Sequence, residues 1–265
     1  MIVVRSCKGQ EELEACVQLQ VATWGYDPTD VIPRKAFLVW QKVGGQVLGA
    51  FDSELTGSGP ESSLVAFLAA LPGIKPIDGT PKPYLHSHML AVKEAYRNRG
   101  LGARLKLAQR EEALDREIRH IEWTFDPLEI KNAFLNVAKL GAIARTYLVD
   151  FYGVSSSRLQ GGLPTDRLVA EWQIDSPRVT QILSATAQVP GSPGPAIDER
   201  ILVPAKIYEW KATEAGREKA LEVQLENRRR FQLAFSEGLV ISGFLRDAEG
   251  NGIYQLSQNS LLDPF

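Results

Sequence analysis

The sequence predicts an α/β (α+β) protein with a small C-terminal α+β extension. Three features of the 265 residues indicate this class. Helical and strand patterns alternate up to about residue 174, and a glycine-rich turn joins an apolar strand to an amphipathic helix. A Pro/Gly-rich stretch then precedes a last strand, helix and hairpin. We therefore expect domains at 1–175 and 200–265, joined by a linker at 176–199.

The individual elements follow from the spacing of apolar residues. Period-two alternation and β-branched residues predict strands, and apolar residues three and four apart predict helices. In the first domain we expect strands at 2–5, 47–51, 64–71, 84–92, 121–125, 143–149 and 168–174, and helices at 10–23, 34–43, 101–119 and 130–139. In the extension we expect a strand-like segment at 201–210, a helix at 214–237 and two strands around the turn at 247–252.

Composition narrows the classes of partner. A formal net charge of -2 and a pI near 6.0 remove the general attraction that binders of nucleic acid and anionic membranes use. Cys7 and Cys16 are too few for a disulfide framework or a metal site, and no apolar run approaches about 18 residues. We predict a cytoplasmic protein with no nucleic-acid partner, no membrane span and no metal; a homodimer is left open.

The glycine turn at 97–102, Arg-Asn-Arg-Gly-Leu-Gly, carries the clearest chemical signal. Glycines let the backbone come close to a ligand, the first amides of the following helix point at an anion, and Arg97, Arg99 and Arg104 add positive charge. The run lacks the Lys-Ser/Thr of a P-loop, and Leu105 stands where a dinucleotide fingerprint needs its third small residue. These residues predict a pyrophosphate pocket for a nucleotide thioester.

The pattern Arg97-x-x-Gly100-x-Gly102 resembles the R/Q-x-x-G-x-G/A motif of the GNAT superfamily, the Gcn5-related acyl-CoA N-acyltransferases. It follows the strand HMLAV, opens an amphipathic helix and is followed by a strand, a helix and Lys139-Leu140-Gly141, as in family members. The resemblance covers roughly residues 1–175. The segment WTFDPL at 123–128 also resembles a segment found in a subgroup of bacterial predicted GNAT proteins. The resemblance implies a mixed, mostly antiparallel sheet that splays at its fourth and fifth strands.

The resemblance also implies a cosubstrate, acetyl-CoA or another acyl-CoA, bound along the fourth strand. Backbone groups of Leu90 and Val92 would face the pantetheine. From the spacing of the sequence, Asn132 and Asn136 lie one helical turn apart and could hydrogen-bond the pantetheine or a helix carbonyl. The backbone amides expected to meet the pyrophosphate are those of Arg97, Arg99, Gly100, Gly102 and Ala103.

Two histidines are the candidates for the base that takes a proton from the acceptor amine. Strand alternation predicts that His86, His88, Leu90 and Val92 share one face, and an imidazole with a pKa of about 6.5 suits the task. His86 also falls, counting back from Arg97, where histone acetyltransferases of this superfamily carry their catalytic glutamate. The alternative is that one or both histidines only fill the sheet. His120 is predicted to be structural.

The general acid is harder to assign, because many family members have a tyrosine at the position of Val137. Tyr147 or Tyr152 could replace it, or the thiolate, whose thiol has a pKa of about 8.5, could leave unassisted.

Residues for the acceptor are expected after the fifth strand. Trp123 and Asp126 lie where the superfamily opens its acceptor site, and Asp126 would bind an ammonium or simply serve the turn before proline. Asp166 or Arg167 could reach the acceptor, Arg167 by gripping a carboxylate, although loop chemistry explains both equally well.

The predicted function is acylation of a small-molecule amine or an amino acid. The alternatives are a non-catalytic acyl-CoA-binding or regulatory module and an interaction scaffold. Arg228–Arg230 are predicted to be a solvated face.

Overall fold

A computed structural model describes residues 1–77, 79–184 and 196–258. The chain divides into two compact units, Met1–Glu122 with Ser156–Arg158, and Trp123–Ser155 with the chain from Leu159 onward. The domain boundaries expected at 175 and 200 stay a prediction. Residues 185–195 of the expected linker lie outside the described residues, while Pro177–Ser184, where a loop was predicted, form a helix. No helix in the described ranges is long and apolar enough to cross a bilayer.

The first unit is built on a mixed, mostly antiparallel sheet, as predicted. Strands β1 to β4 pair antiparallel in chain order, and β5 pairs parallel with β4 through Leu85↔Ile121 and His86↔Glu122. Its strands are β1 (Ile2–Ser6), β2 (Gln46–Asp52), β3 (Leu64–Ile77), β4 (Thr80–Val92) and β5 (His120–Phe125), the last of which continues along the chain into the second unit. Its helices are α1 (Gly9–Trp24), α2 (Arg34–Lys42), α3 (Pro60–Ser63) and α4 (Leu101–Asp115).

The core of the first unit lies where α1 and α2 meet the sheet. Leu13 of α1, Phe37 of α2 and Phe67 of β3 are almost completely buried in one cluster. Strand β2 is buried along its whole length, and the small and apolar side chains at 47–51 let both of its faces pack. This core fixes the strands that carry the candidate site.

Strands β3 and β4 are longer than predicted and pair as far as Ile77↔Thr80. The prediction ended β3 at Leu71, and Pro72, a residue that is unusual in a central strand, follows it. In the part of β3 and β4 beyond Pro72 and Leu85, the two strands pair with each other. Each strand of a two-stranded segment has one edge without a partner strand. A proline lacks an amide donor, so when its nitrogen faces that edge no hydrogen bond of the ladder is lost.

The second unit carries a further sheet of its own. Strands β6 and β7 pair antiparallel, and β8, β10 and β9 form a separate antiparallel sheet. The strands are β6 (Tyr147–Leu148), β7 (Arg167–Gln173), β8 (Glu199–Val203), β9 (Leu239–Arg246) and β10 (Gly252–Gln258). The helices are α5 (Ile130–Ala133), which continues as a π-helix over Phe134–Lys139, α6 (Pro177–Ser184), α7 (Ile207–Lys211) and α8 (Glu214–Ser236). Its largest fully buried side chains are Trp172, Phe231 and Tyr254.

Two predicted elements of this unit differ from the structure. The strand-like segment 201–210 is a strand only to Val203, and α7 follows. Pro204 cannot donate to a strand ladder, and its carbonyl accepts from the amide of Ile207 at 3.0 Å, which turns the chain into the helix. The strand expected at 143–149 is reduced to Tyr147–Leu148, preceded by isolated bridges at Ile143 and Ala144.

Candidate functional site

The glycine turn leads from β4 into α4 as predicted. Gly100 has a φ of 76°, a left-handed conformation that favours glycine, and α4 begins at Leu101. The amide of Arg104 donates to the carbonyl of Gly100 at 3.1 Å. The amides of Leu101, Gly102 and Ala103 therefore lie in the first turn, where a helix offers no intrahelical acceptor. Such a turn favours an anion through both hydrogen bonds and the helix dipole.

The three arginines of the turn have different surroundings. Arg97 and Arg99 are exposed; Arg97 Nε donates to the carbonyl of Val92 at 3.3 Å, and the guanidinium of Arg99 lies 5.2 Å from the ring centre of Tyr96. Arg104 instead donates to the carbonyl of Ile2 on β1 at 2.8 Å. Arg97 and Arg99 are the side chains of this set that stay close to the turn.

A β-bulge interrupts β4 at the two histidines. Ala69 pairs with Met89 and Ala70 with Ser87, so β4 has one extra residue at His88. Because Ala69 and Ala70 point to opposite faces of β3, Ser87 and Met89 also point to opposite faces. Beyond the bulge, Met89 and Ala91 therefore share the face of His86. The prediction that Leu90 and Val92 lie on that face is wrong. An inserted residue shifts the alternation of side chains by one position, so residues after the bulge point to the opposite face from the one predicted.

His88 is the more enclosed of the two histidines. Its ring meets Trp40 of α2 edge-on, with centroids 5.7 Å apart, and lies 6.2 Å from the ring of His86. Burial lowers the pKa of His88 to about 4, and the neighbouring His86 acts in the same direction. The imidazole of His88 is therefore neutral at pH 7.

The carboxylate of Glu122 on β5 adds a charged group that the sequence did not single out. Its Oε2 accepts a hydrogen bond from Lys75 and lies 3.6 Å from His120 Nε2, while its Oε1 lies 3.8 Å from His86 Nδ1. Burial acts to raise the pKa of Glu122, but interactions with His120, His86 and Lys75 outweigh it and hold the pKa well below its usual range. Glu122 is thus a half-buried anion beside the predicted base.

This carboxylate could have been anticipated only in part. Period-two alternation on β5 places His120 and Glu122 on one face, but the register that sets Glu122 opposite His86 is a tertiary property. Within the described ranges, no group of three or more His, Cys, Asp or Glu side chains is arranged to hold a metal ion.

In the second unit, Trp123 and Asp126 are held by neighbours of that same unit. Trp123 is buried and meets Trp172 edge-on at 5.9 Å. Asp126 Oδ1 accepts from the amide of Leu128 at 2.8 Å, the turn role considered above, and its Oδ2 accepts from Lys211 Nζ at 2.8 Å. Lys211 also reaches Glu129 at 3.3 Å. A role for Asp126 toward an acceptor ammonium stays a prediction, and it would compete with Lys211.

The hydroxyl of Tyr147 is hydrogen-bonded to the ion pair between Asp166 and Arg228. This hydroxyl donates to Asp166 Oδ2 at 2.6 Å, and Arg228 donates to both oxygens of Asp166 at 2.8 and 2.9 Å. Burial raises the pKa of the Tyr147 hydroxyl, and its bond to Asp166 raises that pKa further. The prediction that Arg228–Arg230 form a solvated face is confirmed for Arg229, which is exposed. It is wrong for Arg228, because the buried carboxylate of Asp166 binds its guanidinium.

The remaining predicted side chains of this unit are partly accessible. Tyr152 is 44% exposed, and its hydroxyl lies 2.8 Å from Thr124 Oγ1. The guanidinium of Arg167 lies 5.2 Å from the ring centre of Tyr152 and donates to the carbonyl of Asp166 at 2.7 Å and to Gln160 Oε1 at 3.1 Å. Asn132 is exposed on α5.

Residues 15–136 match the model of the acetyltransferase (GNAT) family. This segment is a GNAT acetyltransferase domain. It contains β4, the Gly100 turn, α4 and β5, the same elements whose geometry indicated an anion site beside a histidine-bearing strand. The match confirms the predicted family for this segment and supports the predicted class of enzyme, an acyltransferase.

Solved structures share the fold of the GNAT domain. NAA60 from Arabidopsis thaliana, in complex with acetyl-CoA, is 16% identical and has a TM-score of 0.52 over 66% of this chain and 100% of its own. The yncA protein of Salmonella typhimurium, solved with its cofactor acetyl-CoA, is 16% identical and has a TM-score of 0.50 over 66% of this chain and 95% of its own. These likenesses confirm the predicted GNAT fold. A search of curated proteins gave no match.

Proposed function

We propose that this protein is an acetyl-CoA-dependent N-acetyltransferase that acylates the primary amine of a small molecule or an amino acid by direct transfer. The observation that carries the proposal is the order of elements in the first unit. A histidine-bearing strand, β4, runs into the left-handed Gly100, and the first amides of α4 follow. This order puts a candidate base and an anion site on one continuous segment of a GNAT domain.

The residues of the turn fit the pyrophosphate of acetyl-CoA, which supplies the activated acyl group. The amides of Gly102 and Ala103 would donate to its oxygens, and Arg97 and Arg99 would add positive charge. Backbone groups of β4 around Leu90 would hold the pantetheine. The ladder to β5 supports this role, because it pairs only Leu85 and His86 of β4 and leaves the β5 side of the backbone around Leu90 outside that ladder.

The chemistry requires a neutral amine. For an amine with a pKa of about 10.4, deprotonation at pH 7 costs roughly 4 to 5 kcal/mol. We propose that His86, next to the anionic Glu122, takes this proton. His88 is the weaker candidate, because burial makes its imidazole a poor proton acceptor.

For the leaving thiolate, we propose departure without a dedicated acid, or with Tyr152. Val137 is 2% exposed and has no proton to give, and the hydroxyl of Tyr147 is already bonded to Asp166. Tyr152 is the more accessible of the two tyrosines. A thiol with a pKa of about 8.5 is an adequate leaving group by itself.

A non-catalytic acyl-CoA-binding module is the second candidate function. The same observations favour it: Val137 stands where many family members have a tyrosine, and Tyr147 is bonded within a buried ion pair. In such a module, the glycine turn and the first amides of α4 would still bind the ligand, but His86 would transfer no proton. We propose the cytoplasm as the compartment in either case, because Cys7 and Cys16 are buried free thiols.

The first test is release of CoA thiol. The protein is incubated with acetyl-CoA and, separately, succinyl-CoA against panels of small amines, amino acids and short peptides with free N-termini. We expect thiol release with at least one amine or amino acid, and Gly102→Glu, which puts a carboxylate at the anion site, should abolish it. Binding of acetyl-CoA without thiol release from any acceptor would support the second candidate function. Release with peptides alone would contradict the proposed acceptor class.

Gly100 offers a test of the anion site that needs no acceptor. A Cβ added at Gly100 meets nothing within 4 Å, so the effect of a substitution arises from its φ of 76° alone. Gly100→Val should weaken acetyl-CoA binding about tenfold or more, because a β-branched residue in this conformation costs on the order of 1 to 3 kcal/mol. Gly100→Asn, which tolerates the conformation, is the matched control. Equal dissociation constants for both variants in calorimetry would contradict the role of the turn.

A further inference from the structure

We infer that Glu122 is a positioning residue for His86: its carboxylate, anchored by Lys75 and His120, orients the imidazole that takes the proton from the acceptor amine. The inference rests on the proposed function, because it gives His86 that task. It adds a residue on β5 that binds neither cosubstrate nor acceptor and acts through the histidine.

The sheet brings the two side chains together. His86 and Glu122 are directly paired in the parallel ladder between β4 and β5, so their positions are fixed by backbone hydrogen bonds. The side chain of Glu122 is 14% exposed and that of His86 is 26% exposed. A contact between two partly enclosed groups on paired strands is less screened by water than a surface pair would be.

The two oxygens of Glu122 face different partners. Oε2 accepts from Lys75 of β3 and faces His120 Nε2 at 3.6 Å, while Oε1 faces His86 Nδ1 at 3.8 Å. The anchoring groups therefore occupy one oxygen and leave the other toward His86. A carboxylate beside Nδ1 favours the tautomer with hydrogen on Nδ1, so that the lone pair lies on Nε2.

Glu122 is suited to orient the base and poorly suited to be the base. A carboxylate that carries a hydrogen bond from an ammonium and lies beside a second imidazole stays ionised and accepts protons weakly. The proton of the amine passes to His86 Nε2 as the C–N bond forms and the thiolate leaves. Glu122 keeps its negative charge throughout and stabilises the imidazolium, as the carboxylate does in other carboxylate–histidine pairs.

His120 acquires a role in this arrangement. It is 3% exposed, and within the described ranges neither ring nitrogen has a hydrogen-bond partner inside 3.5 Å, so Glu122 Oε2 at 3.6 Å is the acceptor toward which Nε2 points. Tyr84 of β4 completes the surroundings: Lys75 lies 5.5 Å from its ring centre, and its ring centroid is 6.3 Å from that of His120. Among the described residues of this unit, the titratable groups that interact with Glu122 are Lys75, Tyr84, His86 and His120.

The tautomer of His86 tests the inference without any acceptor. The chain has three histidines, so His86→Asn, His88→Asn and His120→Asn assign all imidazole signals in long-range 1H–15N spectra of labelled protein at pH 7.5. We expect the Nδ1–H form for His86 in the wild type and its loss in Glu122→Leu. Glu111→Leu, which removes an exposed carboxylate of α4, is the control and should leave the signals unchanged.

The kinetic consequence is a lower kcat with unchanged cosubstrate binding. Glu122→Leu should lower kcat about 10- to 100-fold, the usual cost of losing a group that orients a functional histidine, with the dissociation constant of acetyl-CoA unchanged within about twofold. Glu122→Asp should restore part of the loss. A purely structural role would instead lower the melting temperature and weaken acetyl-CoA binding together.

The outcomes separate this inference from the proposed function. An Nε2–H form of His86 in the wild type, or a tautomer that persists in Glu122→Leu, overturns the inference whatever the activity. A wild-type protein that releases no thiol with any acceptor sinks the proposed function, while the spectra still decide whether Glu122 orients His86. Retention of full kcat in Glu122→Leu overturns the positioning role even if the tautomer changes.

Discussion

His86→Ala is expected to lower kcat/KM for a lysine-like acceptor by about 10²- to 10³-fold at pH 7, and by progressively less as the pH rises. The wild type supplies a base for an amine that is almost entirely protonated at pH 7. The variant must draw on the small fraction of free amine, which grows tenfold for each pH unit below the amine pKa of about 10.4. The two pH profiles should therefore converge between pH 9 and 10, roughly where the amine deprotonates itself.

The matched control for this prediction is His88→Ala. His88 lies on the same strand and contacts Trp40, but burial holds its pKa at about 4. Its removal should produce a smaller loss that does not depend on pH between 6 and 9, roughly the range in which His88 stays neutral. Initial rates of thiol release across that range measure both profiles. A flat deficit in His86→Ala, parallel to the wild type, would contradict a base role for His86.

Local sequence signals predicted the glycine turn well. The left-handed conformation of Gly100 and the start of α4 at Leu101 depend on one glycine and on the apolar spacing that follows it. The lengths of β3 and β4 depend on their pairing with each other, so a prediction from the local pattern ended β3 six residues early, at Leu71 instead of Ile77. The bulge at His88 has the same origin, because an inserted residue exists only relative to a partner strand.

The charged partners of the site residues could not be predicted from spacing. Glu122 lies 36 residues beyond His86 in the chain, and Lys75 lies 47 residues before Glu122. Only the register of the sheet brings them together. Arg228 illustrates the same limit in the second unit: three consecutive arginines indicate a solvated face, and a carboxylate 62 residues away selects one of them.

Asp166→Ala is expected to lower the free energy of unfolding of the second unit by about 3 to 5 kcal/mol, the usual cost of breaking a buried ion pair. The side chain of Asp166 has no exposed surface, and it accepts from Arg228, from the Tyr147 hydroxyl and from the amide of Asp150. Its removal leaves these donors without their acceptor. Urea denaturation at pH 7.5, followed by circular dichroism, measures the loss.

Arg229→Ala is the matched control on the same helix. Arg229 forms an exposed pair with Glu226, so its loss should cost less than about 1 kcal/mol. Asp166→Ala combined with Arg228→Met removes both charges. It should recover part of the stability, because no guanidinium is then left without its carboxylate partner. A double variant less stable than Asp166→Ala would contradict the ion-pair explanation.

The pH dependence gives the sign of the Asp166 contribution. Burial acts to raise its pKa, but hydrogen bonds from Arg228, Tyr147 and Asp150 outweigh burial and lower the pKa in the folded state. A depressed folded pKa stabilises the protein above the unfolded value of about 3.9, and that contribution disappears as the pH falls through the folded pKa. The stability difference between wild type and Asp166→Ala should therefore be constant from about pH 5 to 8 and shrink at lower pH.

The same carboxylate also holds the loop that carries Tyr152. Asp166 accepts from the amide of Asp150, and Asp150 in turn accepts from the amide and hydroxyl of Thr165 at 2.9 and 3.1 Å. Thr165 Oγ1 then accepts from the amide of Tyr152 at 2.9 Å. If Tyr152 assists the leaving thiolate, Asp166→Ala should lower kcat at temperatures where the variant is still folded, whereas Arg229→Ala should not. A variant that is less stable but keeps its kcat would separate the stabilising role of this ion pair from any role in catalysis.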